Sequence, residues 1–265
     1  MVRITGATGL YVIIGDPIAQ VLSPTLFNAA FDRLNLDAVL VPLQVGAEHL
    51  DQTLRALRDV KNLEGMIVTV PHKIPATARV DRLGPAGRCI GAINAIRIER
   101  DGSWTGDNFD GAGCIGALLA AGHSLQGRRA LVVGAGGAGS SVAFALAQAG
   151  VASLKLCDPD TARVDRLIAR LAEHAPGLPV VSGDADPRGF GIVANCTPVG
   201  MQPGDPLPIE IDVVDAGTIV VDVILKPEVS PMLLRARERG LVTQTGRAML
   251  EGQVDAVLRF FGDKT

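Results

Sequence analysis

The sequence predicts an α/β chain of two domains, an N-terminal α/β domain followed by one built on a doubly wound parallel sheet. Three observations predict it. Short apolar runs of strand length alternate with amphipathic runs of helix length through most of the chain. Near the middle, a glycine-rich turn separates one such strand from the helix after it. The chain has 265 residues, of which 48% are hydrophobic and 20% charged, which suits one large core or two modest ones.

The elements follow in order. Tyr11–Ile14 reads as a strand, and a helix runs from Ser23, as N-cap with Pro24 at the first helical position, to about Leu34. Ala38–Leu43 is a strand, Ala47–Val60 a helix, and Met66–Val70 a β-branched strand ending at Pro71. Ile93–Glu99 is a strand turned by Asp101-Gly102 towards Trp104. Asp110 reads as the N-cap of a helix over Gly111–Ala121, and Gly122–Arg128 is a polar joint. Strand Ala130–Val133, helix Ala138–Ala149, strand Leu154–Cys157 and helix Thr161–His174 come next. Strands Val180–Val181, Ile192–Asn195 and Ile219–Val223 and a last helix Arg247–Phe261 complete the pattern.

Composition excludes several classes of function. Net charge is −3, so no basic field exists to hold nucleic acid or an anionic membrane. Aromatics make up 3% of the chain, too few for base-stacking platforms. Cys89, Cys114, Cys157 and Cys196 lie far apart without a CxxC pair, and the four histidines are dispersed. Neither a disulfide framework nor a metal site is expected, and a cytoplasmic location fits. The apolar run near the N-terminus is too short for a signal peptide. No charge occurs between Arg129 and Lys155, yet five glycines break that stretch, so it reads as buried core and not as a membrane span.

Gly134-Ala135-Gly136-Gly137-Ala138-Gly139 contains GxGxxG between an apolar strand and a helix. The first glycine permits a tight turn, the second admits a pyrophosphate to the backbone, and the third lets helix pack on strand. Gly137 and Ala138 open the helix whose N-terminal amides face the phosphates. Asp158, at the end of the next strand, stands where an acid accepts from adenosine ribose hydroxyls. A Rossmann-type dinucleotide domain is expected. The acid favours NAD over NADP, and Arg163 keeps NADP open as the alternative.

Several segments together resemble the shikimate/quinate dehydrogenase family. They are Gly15-Asp16-Pro17-Ile18-Ala19 with Ser23-Pro24, Val68-Thr69-Val70-Pro71-His72-Lys73, Gly91-Ala92-Ile93-Asn94, Gly106-Asp107-Asn108-Phe109-Asp110-Gly111, Asn195 to Met201, and Met249 to Gln253. The resemblance implies a substrate-binding and catalytic domain over residues 1–109, completed by a C-terminal helix at 246–265, and an NAD(P)-binding domain over 110–245. It assigns proton transfer to Lys73 and Asp110 during interconversion of a ring alcohol and ketone. It gives Ser23, Thr69, Asn94 and Gln253, with Val21, to a small ring hydroxy acid. It adds Thr197, Pro198, Val223 and Gly246 to the cofactor contacts. A monomer or homodimer is expected.

Three departures bear on the substrate. Val21 stands where the family has the first of two serines that hold the substrate carboxylate, Gln20 replaces a histidine, and Leu225 replaces a frequent tyrosine. Losing one hydroxyl donor to a carboxylate costs roughly 1.5–3 kcal/mol. A backbone N–H or Gln20 could compensate. Two rival readings follow: a family member acting on a different cyclic hydroxy substrate, and a non-catalytic NAD-binding sensor.

Overall fold

The computed structural model describes residues 4–262. Two compact units are present, one made of residues up to Phe109 together with the stretch from Val254, the other of Asp110–Gln253. Residues 263–265, included in the expected final helix region, lie outside the described residues.

The first unit holds a six-stranded mixed sheet in the order β2-β1-β3-β5-β6-β4. Its strands are β1 Gly9–Gly15, β2 Ala38–Gln44, β3 Leu63–Val68, β4 Arg82–Leu83, β5 Ala95–Ile98 and β6 Trp104–Asp107. β1 is parallel to both β2 and β3, whereas β5 runs antiparallel to β3 and β6. Side chains alternate across the sheet, as a strand's period of two requires. Val12, Ile14, Met66 and Val68 face a cluster with Leu50, Leu54 and Trp104. Ile13, Ile67 and Ala95 face another with Phe27, Phe31, Val257 and Phe261. Helix α2 (Leu50–Leu57) thus covers one face, and α1 (Ser23–Arg33) with the end of α8 (Gly246–Gly262) covers the other.

Strand β2 forms the outer edge. The side-chain amide of Asn28, on α1, donates to Leu40 O at 3.0 Å and accepts from Leu40 N at 2.8 Å. Pro42, two residues on, has the same orientation and carries no N–H. At the other end of the sheet Arg97 and Glu99, both buried, form an ion pair at 2.8 Å. Arg97 also donates to Phe260 O, and Thr105 Oγ1 donates to Glu99. The pair therefore anchors the last turn of α8 to the sheet.

The second unit is a parallel six-stranded sheet in the order β12-β11-β10-β7-β8-β9. It comprises β7 Arg129–Val133, β8 Ser153–Cys157, β9 Val180–Ser182, β10 Ile192–Asn195, β11 Ile219–Asp222 and β12 Val242–Gln244, with helices α4 Asp110–Ala120, α5 Gly137–Gln148, α6 Thr161–His174 and α7 Pro231–Glu238. The first strand is central, and the order reverses between β7 and β10. That is the doubly wound arrangement, whose ligand crevice lies at the switch. β7, β10 and β11 are buried almost throughout, as strands covered on both faces must be. The charge-free stretch is core: a Cβ on Gly111 would lie 2.0 Å from Ser141 O, so α4 and α5 meet backbone to backbone.

Some expectations need correction. Ser23 is the first helical residue and makes no capping bond; Leu22 is the N-cap. Residues 47–49 form a 3-10 turn before α2, and α2 stops at Leu57. β3 ends at Val68, since Thr69 and Val70 leave the sheet for the turn before Pro71. The expected final helix from residue 246 divides between units: a Cβ on Gly113 would meet Met249 O at 2.4 Å and Gln253 N at 2.8 Å, so the first turns of α8 pack on α4. Strand β4, helix α3 (Pro85–Ile90), α7 and β12 went unread. Among the described residues no helix is long and apolar enough to cross a membrane. No group of three or more potential ligands there could hold a metal ion.

Candidate active site

In the first unit the candidate residues gather at the C-terminal ends of the parallel strands β1 and β3. Asp16 N donates to Val70 O at 3.0 Å, Val68 N to Asn94 O at 2.8 Å and Ile93 N to Lys73 O at 2.8 Å. Thr69 has its N–H on Ile14 O and its carbonyl under His72 N. The half-exposed Lys73 is therefore held by main-chain bonds on both sides of its turn. His72 is fully buried and reaches Val45 O through Nε2 at 2.6 Å. A carbonyl only accepts, so Nε2 carries the proton.

Asn94 has a duty the sequence did not reveal. Its Oδ1 accepts from Phe109 N at 2.9 Å, fixing the peptide that leads directly into Asp110. Asp107 accepts from Gly87 N and Asn108 N, and burial pushes its carboxyl above the usual range. Both residues serve the shape of this segment.

The departures also have structural accounts. Val21 packs against the apolar cluster that contains Phe27 and Phe31, and its N–H is taken by Ile18 O. Gln20 is exposed, with its amide turned onto Pro17 O at 2.8 Å. Leu225 is exposed and Ser23 buried.

In the second unit Asp110 is buried at the start of α4. The first-turn N–H of Gly111 is taken by Ser141 Oγ at 2.7 Å, a satisfied helix start that the expected Asp110 cap did not foresee. Gln253 is buried on the part of α8 that packs against α4.

The glycine loop sorts its residues by cause. Gly134 has φ +97°, and a Cβ there would meet the Cys196 carbonyl at 2.8 Å. At Gly139 a Cβ would lie 1.7 Å from Gly134 O. Gly136 and Gly137 have nothing within 4 Å. Conformation demands the first and packing the last. Nothing among the described residues demands the middle pair, whose open face suits a diphosphate laid on the N-terminus of α5, beside Ala138.

Asp158 closes the loop from the end of β8. Its Oδ2 accepts from Ala135 N at 2.7 Å and its Oδ1 from Asp160 N at 2.9 Å. Arg163 lies against Asp158 at 3.5 Å and Asp160 at 3.4 Å, while Asp160 caps α6. Thr197, Pro198 and their loop follow β10, and the Thr197 hydroxyl donates to Asn195 Oδ1 at 2.7 Å. Gly246 lies against Val223, where a Cβ would come within 2.4 Å of Val223 O, so packing alone requires this glycine. Burial pushes the Cys196 thiol well above its ordinary value, which leaves a neutral thiol of little nucleophilicity.

Comparison with known proteins agrees with this layout. The family model described as the shikimate dehydrogenase substrate binding domain matches residues 13–96. The shikimate dehydrogenase (NADP(+)) of Rubrobacter xylanophilus is 42% identical over 257 residues, spanning 94% of this chain and 88% of that protein. Shikimate 5-dehydrogenase from Listeria monocytogenes, solved in complex with shikimate and NAD, superposes with a TM-score of 0.90 at 31% identity, covering 99% of this chain and 94% of that one. The 5-ketofructose reductase of a Gluconobacter strain, solved without ligand, gives 0.87 at 26% identity, covering 97% and 94%. With a full-length relative at that identity and both units matched, the chain belongs to the shikimate dehydrogenase family.

Proposed function

We propose that the chain is an NAD(P)-dependent oxidoreductase that interconverts a ring alcohol and its ketone, shikimate with 3-dehydroshikimate or quinate with 3-dehydroquinate. The observation that carries the reading is the presence of Lys73 and Asp110 in their motifs within a chain 42% identical to a named shikimate dehydrogenase. The nicotinamide, when bound, takes or supplies the hydride. Lys73 Nζ holds the substrate oxygen and stabilises the negative charge that grows on it. The Asp110 carboxylate is the second group of the proposed relay and passes the proton on. Ser23, Thr69, Asn94 and Gln253 orient the ring acid. A cytoplasmic location and a monomer or homodimer belong to the same reading.

NAD is the preferred cofactor in this proposal. The half-buried Asp158 carboxylate at the end of β8 is supporting, because it repels a ribose 2′-phosphate. Arg163, already flanked by two carboxylates, is poorly disposed to receive that phosphate. The Rubrobacter relative's name points the other way. Steady-state oxidation of shikimate and quinate, each with NAD and with NADP, tests both parts. Higher kcat/KM with NAD is expected, and equal or higher efficiency with NADP would overturn the preference. Asp158→Ala should lower kcat/KM with NAD by about tenfold, the worth of one charge-assisted hydrogen bond, and narrow the gap between cofactors.

The packing of Val21 and the bond from Gln20 to Pro17 favour a second reading, a different hydroxy or keto substrate with less need of a carboxylate clamp. Adding 5-ketofructose to the panel separates the two. Turnover of that ketone with neither ring acid oxidised would replace the first reading.

A further inference from the structure

A chain of buried polar side chains outside the proposed chemistry joins the ends of β10 and β11. Asp222 ends β11 and is 1% exposed. Its Oδ1 accepts from Asn195 Nδ2 at 3.2 Å and from Ile224 N at 3.1 Å, and its Oδ2 accepts from Ser230 Oγ at 2.5 Å. The Ser230 hydroxyl accepts in turn from Leu233 N, capping α7. Asn195 gives its amide also to Val199 O at 3.2 Å, and its Oδ1 accepts from Thr197 N at 3.0 Å and from Thr197 Oγ1. Thr197 Oγ1 accepts from Val199 N.

Each acceptor in this chain has its donor and each donor its acceptor. Burying a carboxylate without a cation beside it is unfavourable, and burial does raise the Asp222 carboxyl above its ordinary value against the pull of these hydrogen bonds. A site that retains such a group has something to hold in place. What it holds is the loop Cys196–Gly200, at the C-terminal edge of the half-sheet that receives the second mononucleotide in a doubly wound fold. The glycine loop, on the other half, is tied separately by Asp158.

We infer that Asp222 is a positioning residue for the nicotinamide half of the cofactor, acting through Asn195 on the Cys196–Gly200 loop and held in register by Ser230. The inference rests on the dinucleotide reading above. In Asp222→Asn the shape is kept, and the new amide oxygen can still accept from Asn195 Nδ2 and Ile224 N. The amide nitrogen then faces Ser230 Oγ, which must accept from it as well as from Leu233 N, so the Ser230 proton loses the carboxylate that took it.

Calorimetric titration of the full chain with NAD and, in parallel, with ADP tests it. Asp222→Asn is expected to weaken NAD binding by about tenfold, the value of one mispaired buried group, and to leave ADP binding unchanged. Ser230→Ala should shift NAD binding in the same direction, and Ser230→Thr, which keeps the hydroxyl, should restore it. If Asp222→Asn does not fold, the two Ser230 variants carry the test. Unchanged NAD affinity in the variants, or parallel loss of NAD and ADP affinity, overturns the inference. No ring acid is present in the titration, so failure of the oxidation assay would sink the substrate proposal without touching this one.

Discussion

Lys73→Ala is expected to lower kcat for the ring alcohol by about 10²–10⁴-fold, the usual worth of a positioned proton-transfer group. KM for the cofactor should change little. The main-chain bonds around Lys73 do not involve its side chain: its carbonyl accepts from Ile93 N and the preceding turn is closed by His72 N on Thr69 O. Truncation should therefore leave these main-chain bonds of the turn in place. Lys73→Arg keeps the charge but not the shape of the donor, and only a small part of the activity should return. A sensor that binds NAD without turnover would show no catalytic effect from either change. Full activity in Lys73→Ala would end the proposed proton path.

The second large effect separates two glycines three residues apart. Gly139→Ala would drive a methyl to 1.7 Å from Gly134 O, an obstruction by backbone that no rotamer relieves. Destabilisation of about 3 kcal/mol or more is expected, with a fall of roughly 6–12 °C in Tm. A Cβ at Gly136 would meet nothing among the described residues within 4 Å, so the Tm of Gly136→Val should hold. Dinucleotide affinity should nevertheless fall by at least about tenfold, because the side chain occupies the face the phosphates need. Differential scanning calorimetry and cofactor titration on the two variants give opposite patterns if the loop is a phosphate cradle. A Gly136→Val variant that binds NAD normally would refute that assignment.

The contrast shows what a sequence discloses. GxGxxG, the strand before it and the helix after it were legible because all three signals are local, and α6 was read at Thr161–His174 to the residue since an aspartate caps it and apolar residues recur along one face. α7 carried the same Ser-Pro start that marked α1, and at Ser230 the cap is real while at Ser23 it is absent. α3 and β4, six and two residues long, are too short for any period to register. Their form is set by contact with β6. The candidate residues were visible as motifs, but their duties were not. Asn94 is tied to Phe109, Ala135 to Asp158 and Asn195 to Asp222 across gaps of 15, 23 and 27 residues. Nothing in local propensity encodes such pairings.

The border of the first sheet has a consequence for how copies of this protein meet. A chain approaching β2 in search of a strand partner would find the polar pair of Leu40 already taken by Asn28, and at Pro42 a ring in the row where a donor is needed. Strand-by-strand addition is blocked at that border, in the way natural sheets guard themselves against open-ended stacking. Any self-association through that border would therefore have to use side-chain contacts and not strand pairing.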